Sequence, residues 1–157
     1  MEPEQLLTLA VGAFFGAAGW LIVGLYMQRR QHEREARSAA RAVYFELAMN
    51  QVDIGVAAEH GVYQPLRRSA FDRLLPELAT WLDADQLATI VAAYMSQAGY
   101  DQAQRDDKLP APVRVALLAR VRREHRAASE LLRQRAFTPR EAARLSTVAV
   151  PNEAVSG

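Results

Sequence analysis

Between Leu6 and Met27 the chain carries no charged residue, and a helix over that run would be roughly 33 Å long against a bilayer hydrocarbon core of roughly 30 Å. Lipid or another protein must cover such a helix, so the run decides how the rest of the chain is arranged. A cleaved signal peptide opens with a basic region and closes on small residues, whereas this run is preceded by Met1-Glu2-Pro3-Glu4 and followed by Gln28-Arg29-Arg30. The expectation is a retained transmembrane helix over 6–27 behind a short extracytoplasmic segment, 1–5. Its amino flank holds only Glu2 and Glu4, while Arg29, Arg30, Arg34, Arg37 and Arg41 lie on its carboxyl side. That asymmetry predicts a single-pass protein of the inner membrane with its amino terminus outside and its bulk in the cytoplasm. Tyr26 beside Arg29, Arg30, Arg34 and Arg37 fits the headgroup boundary, with the arginines on anionic lipid.

The part of the chain after Met27 is long enough for one compact domain. The net charge of the whole chain is +1, too mild to name a partner by itself. No cysteine is present, which removes disulfides and thiolate metal sites from consideration. Periodicity and punctuation predict helices throughout. Residues 28–60 contain no proline and only Gly55 as a breaker, so the first helix is expected to continue as a juxtamembrane helix into the bundle before Gly61 stops it. Pro65 marks a loop, Ser69-Ala70-Phe71-Asp72 reads as a capping-box-like start, and Pro76 is expected to break or restart that helix. Asp83-Ala84-Asp85-Gln86 is an N-cap signature opening a helix that should end at Gly99. A polar loop is expected over 101–112 and a long helix over 113–137. Thr138-Pro139-Arg140-Glu141 then starts a short helix, and disorder is expected over 147–157. The class is all-α: one N-terminal transmembrane helix continuing into a bundle of three to four helices, with 61–146 supplying the later ones.

Three constellations stand out. Gly12, Gly16 and Gly19 form a small-residue face of the GxxxG kind, the geometry by which membrane helices approach closely, though glycine is common in such helices anyway. On the next stretch, Ala36, Ala40, Val43, Leu47, Asn50, Ile54 and Ala57 recur at alternating spacings of four and three, the period of a coiled-coil seam. Phe45, Met49, Val52 and Val56 make a second apolar stripe, and a helix apolar over most of its circumference is better read as the central helix of a bundle wrapped by later segments. Tyr44, Phe45, Phe71, Trp81 and Tyr94 are expected in the core, Tyr63 and Tyr100 outside it. Glu46, Asn50 and Asp53 line one face of the same helix. They could form a metal or acid–base site, but no Glu-x-x-His accompanies them. The favoured reading is a structural polar stripe accepting arginines such as Arg120 or Arg123.

Charge is the third. Seven acids fall within 69–107, and seven arginines within 111–136. Arg120, Arg122, Arg123 and Arg126 form a basic helix patch suited to anionic lipid, or to the acids of the chain itself; nucleic acid is disfavoured because no aromatic side chain is interleaved with them. No cofactor, metal or small-molecule motif is visible. The sequence therefore points to a membrane-anchored scaffold, adaptor or accessory subunit, without catalysis, acting through homo-oligomers or a membrane protein complex. The alternatives are an enzyme or metal-binding bundle using Glu46, Asn50 and Asp53, or a holin- or toxin-like protein that perturbs the membrane.

Overall fold

The computed structural model describes the backbone of residues 3–148 and the side chains of residues 19–145. The described residues fold into five helices and no strand: α1 (Pro3–His60), α2 (Ser69–Trp81), α3 (Ala84–Arg105), α4 (Ala111–Ala136) and α5 (Pro139–Val148). Two units make up the chain, Met1–Glu35 and Ala36–Gly157.

Among the described residues no helix is long and apolar enough to cross a membrane. The transmembrane helix expected over 6–27 is not supported by them, and the side chains of 6–18, Gly12 and Gly16 included, lie outside the described residues. Of the small-residue face only Gly19 is described, with open space where a Cβ would stand. Around it Trp20, Leu21, Ile22, Val23, Leu25, Tyr26 and Met27 are all exposed. The Arg30 guanidinium lies 5.1 Å from the Tyr26 ring centroid, and Arg29 forms a long ion pair with Glu33 at 3.7 Å.

In the second unit the four-three seam of α1 is buried along its whole length, from Ala36 to Ala57. Its apolar members join two clusters. Ala40, Val43 and Leu47 pack with Phe71, Leu78, Ile90, Tyr94 and Leu132. Ile54 and Ala57 pack with Tyr100, Ala103, Leu118 and Val121. The seam is thus covered by the chain's own later helices, and bundle packing explains its period. α3 packs chiefly on α4. Within that contact Gly99 faces Leu117, where a Cβ would come within 3.3 Å of Leu117 Cδ2. Gly99 is therefore a contact residue inside α3 and not its terminator, and the helix runs on to Arg105.

Several boundaries differ from expectation for physical reasons. Pro76 lies inside α2 without breaking it. The missing N–H deprives only the Asp72 carbonyl of its helical donor, and burial of Phe71 and Leu78 on either side holds the helix together. The loop expected over 101–112 shrinks to 106–110 because α3 runs on to Arg105 and α4 begins at Ala111, with Pro112 in its first turn where a proline N–H is not needed. α5 reaches Val148, two residues into the segment expected to be disordered; residues 149–157 lie outside the described ones.

Other signals form as read. Gly61 takes φ +67° after α1, donating to Ala57 O at 3.0 Å. Asp83 caps α3 through Gln86 N–H at 2.9 Å. Thr138 and Glu141 form the capping box, with Thr138 N–H donating to Glu141 Oε2 at 2.8 Å. Arg41, counted among the basic flank, instead ties α1 to α5 through both carboxylate oxygens of Glu141, at 3.2 and 3.0 Å, and to the end of α4 through Ala136 O.

Candidate functional site

The face of α1 carrying Glu46, Asn50 and Asp53 is covered by the segment 61–72. Glu46 is buried and accepts four hydrogen bonds: Oε2 from Ala70 N–H at 2.7 Å and Ser69 Oγ at 3.3 Å, Oε1 from Tyr94 Oη at 2.8 Å and Phe71 N–H at 3.2 Å. Its carboxylate is the N-terminal cap of α2. Arg68 at the N-cap position supplies no side-chain bond, so a residue more than twenty positions earlier satisfies the orphan N–H groups and sets a negative charge against the positive end of the helix. Burial and the bond to Glu46 push the Tyr94 hydroxyl pKa far above its ordinary value, so it stays a donor.

Asn50, fully buried, clamps the loop by a reciprocal pair: its Nδ2 donates to Arg67 O at 2.7 Å, and its Oδ1 accepts from Arg67 N–H at 2.8 Å. Asp53 takes the Arg67 guanidinium at 2.7 Å. Tyr100, fully buried and not outside as expected, closes the other end by exchanging bonds with the Gln64 backbone at 3.1 and 3.0 Å while Tyr63 packs edge-on against it. The polar stripe thus accepts a loop arginine and a helix N-terminus, not Arg120 or Arg123. Both Glu46 oxygens are occupied, and among the described residues no group of three or more His, Asp or Glu side chains is placed to hold a metal.

A polar layer lies between the two hydrophobic clusters. On α1 it is Asn50 and Gln51, between Leu47 and Ile54; on α3 Gln97, between Tyr94 and Tyr100; on α4 His125 and Ser129, between Val121 and Leu132. His125 Nδ1–H donates to Val121 O at 3.0 Å, so its Nε2 is the acceptor facing Gln97 Nε2 at 3.4 Å. Gln97 also reaches Arg67 O at 3.3 Å, and Gln51 donates to Ser129 Oγ at 2.7 Å and His125 O at 3.2 Å. Burial holds the His125 pKa below its ordinary value, which keeps the ring neutral. No sequence signal announces this layer, because Gln97, Gln51 and Ser129 fall on three different helices with no motif to join them; only the burial of their shared helix faces aligns them.

The outer surface carries two features. Phe45, Met49 and Val52 are 52, 51 and 63% exposed, so the second apolar stripe of α1 is not wrapped there, and Phe45 stands outside the core in T-shaped contact with Tyr44 and Phe137. Three and four residues apart, these side chains form one continuous ridge with Ala42 and Val56. On α4, Arg120, Arg122, Arg123 and Arg126 are all exposed. Arg123 makes a long pair with Glu124 at 3.9 Å. Among the described residues the side chains of Arg120, Arg122 and Arg126 have no hydrogen bond or ion pair. Four of the seven acids of 69–107 find partners near themselves instead: Asp72 with Arg68, Asp83 with Gln86 N–H, Asp101 with Arg105 and Asp106 with Lys108 N–H. The internal pairing of the two charged regions that the sequence allowed does not form.

No protein-family model matches this chain, and neither does any curated protein or any solved structure.

Proposed function

We propose that this chain is a membrane-tethered helical adaptor or accessory subunit. Its amino-terminal run would anchor it in the inner membrane with the amino terminus outside, and its bundle would present the ridge Phe45, Met49 and Val52 of α1 to a protein at the cytoplasmic face. The single observation that carries the reading is that ridge. A bundle that buries the other stripe of α1 completely leaves these three large side chains at least half exposed, and a continuous apolar ridge on the surface of a packed domain marks an interaction surface. Anchoring is supported by the uncharged run 6–27, the arginines after it and the apolar side chains bare on all sides of 20–27. Holding the bundle at the membrane raises its effective concentration toward other membrane proteins, and no chemistry is required of it.

The test has two arms. A carboxyl-terminal alkaline phosphatase fusion should be inactive, and its activity in the periplasm would overturn the topology. Purification of the tagged chain in mild detergent should bring down a stoichiometric partner or a second copy, and Met49→Gln with Val52→Gln should abolish that association while leaving the unfolding transition within about 0.5 kcal/mol of the parent, as surface changes do.

A further inference from the structure

We infer that the outer face of α4 is a seat for the phosphate headgroups of an anionic bilayer; the inference rests on the proposed membrane tether and adds a second contact to it. Val115, Ala119, Arg122 and Arg126 fall at i, i+4, i+7 and i+11 and share one line of the helix, with Arg120 and Arg123 on the adjoining line. All six are exposed. Guanidinium groups gathered on one face repel one another unless counter-charge arrives, and among the described residues only Glu124 supplies any, by its long contact to Arg123.

The charge calls for an anionic partner, and the remaining residues of the face choose the kind. A single-stranded nucleic acid would want aromatic platforms among the arginines, and this face has none. It offers instead Val115, 66% exposed, in line with Arg122 and Arg126. An aliphatic side chain beside arginines matches the boundary of a bilayer, where the valine enters the headgroup layer while forked guanidinium groups bind phosphate. Tethering keeps such a surface within reach at all times, so contacts too weak to recruit a free protein suffice to dock a bundle already held there.

The chain contains no cysteine, so Ala119→Cys gives a single attachment point for a fluorophore at the middle of the face. The full chain is reconstituted into vesicles of phosphatidylcholine, alone or mixed with phosphatidylglycerol, carrying a headgroup-linked quencher, and vesicle association is read separately by flotation. Quenching is expected in the anionic vesicles only, weakened by added salt. Arg120→Gln, Arg122→Gln and Arg126→Gln together should lower the docking equilibrium by about a hundredfold at low salt, while the three lysine replacements retain most of it. Chain that floats with both kinds of vesicle but shows no quenching overturns the seat and leaves the tether standing, and equal quenching in both kinds, insensitive to the arginines, overturns it as well. Chain that floats with neither overturns tether and seat together. Flotation with anionic vesicles alone, abolished by the glutamine replacements, rejects the tether and supports the seat. Binding of a labelled oligonucleotide without quenching by vesicles would replace the bilayer with nucleic acid.

Discussion

Glu46 of α1 and Tyr94 of α3, forty-eight positions apart, share a 2.8 Å hydrogen bond inside the bundle, and the same carboxylate caps the first turn of α2. One side chain therefore joins three helices. Glu46→Gln keeps the shape but removes the charge and turns an amide NH₂ toward groups that themselves donate. It is expected to cost about 2–4 kcal/mol in thermal or urea unfolding of the detergent-solubilised chain. Tyr94→Phe should cost less, and the double variant should depart from additivity by more than about 0.5 kcal/mol. Strict additivity would mean that the two groups act independently.

Asn50 holds the loop after α1 at the Arg67 backbone, and trypsin cuts after arginine. Asn50→Ala leaves the Arg67 N–H without its buried acceptor and is expected to speed cleavage after Arg67 or Arg68 by about tenfold, the worth of roughly one hydrogen bond closing the loop. Arg67→Ala removes only the partly exposed pair to Asp53 and should leave cleavage after Arg68 nearly unchanged.

His125 gives the bundle a signed pH dependence. Burial lowers its pKa from the ordinary 6.5, so on acidification the unfolded chain binds a proton before the folded one does. Stability is untouched above that value and falls below it, by at most about 1.4 kcal/mol per pH unit, until the folded pKa is reached. His125→Gln should flatten the curve over that window. Glu130 and Glu141 act elsewhere: Arg133 holds the Glu130 carboxyl below 4.5, and the Thr138 backbone N–H does the same for Glu141, so their contributions are lost only as pH falls through that lower range. An unchanged slope in the His125 variant just below pH 6.5 would mean that the ring titrates in the fold as it does in the unfolded chain.

Much of the architecture is legible in the sequence because it is local. The caps at Asp83 and Thr138, the stop at Gly61 and the seam from Ala36 to Ala57 are each set by spacings of a few residues, and each forms. The features that escape a sequence reading depend on residues far apart. Ser69 resembles a helix start in its own right, yet the cap comes from Glu46, because that helix lies against α1 only after the loop has folded back. Gly99 resembles a terminator, since sequence cannot tell a glycine that ends a helix from one that lets Leu117 approach. Phe45 and Tyr100 lie on the opposite sides of the surface from those expected for the same reason. Periodicity says that a helix has two apolar stripes, but not which of them the other helices have room to cover. Of the surface features, the arginines of α4 are visible as a patch; that Arg120, Arg122 and Arg126 find no acid among the described residues is not.

The most direct test of the adaptor reading is native mass determination of the tagged chain purified in mild detergent from its host, beside the Met49→Gln, Val52→Gln variant. The parent is expected to carry a stoichiometric protein, or a second copy of itself, that the variant has lost while its helical content and unfolding transition are kept. A parent that elutes alone, or a variant that retains the same companion, would contradict the reading.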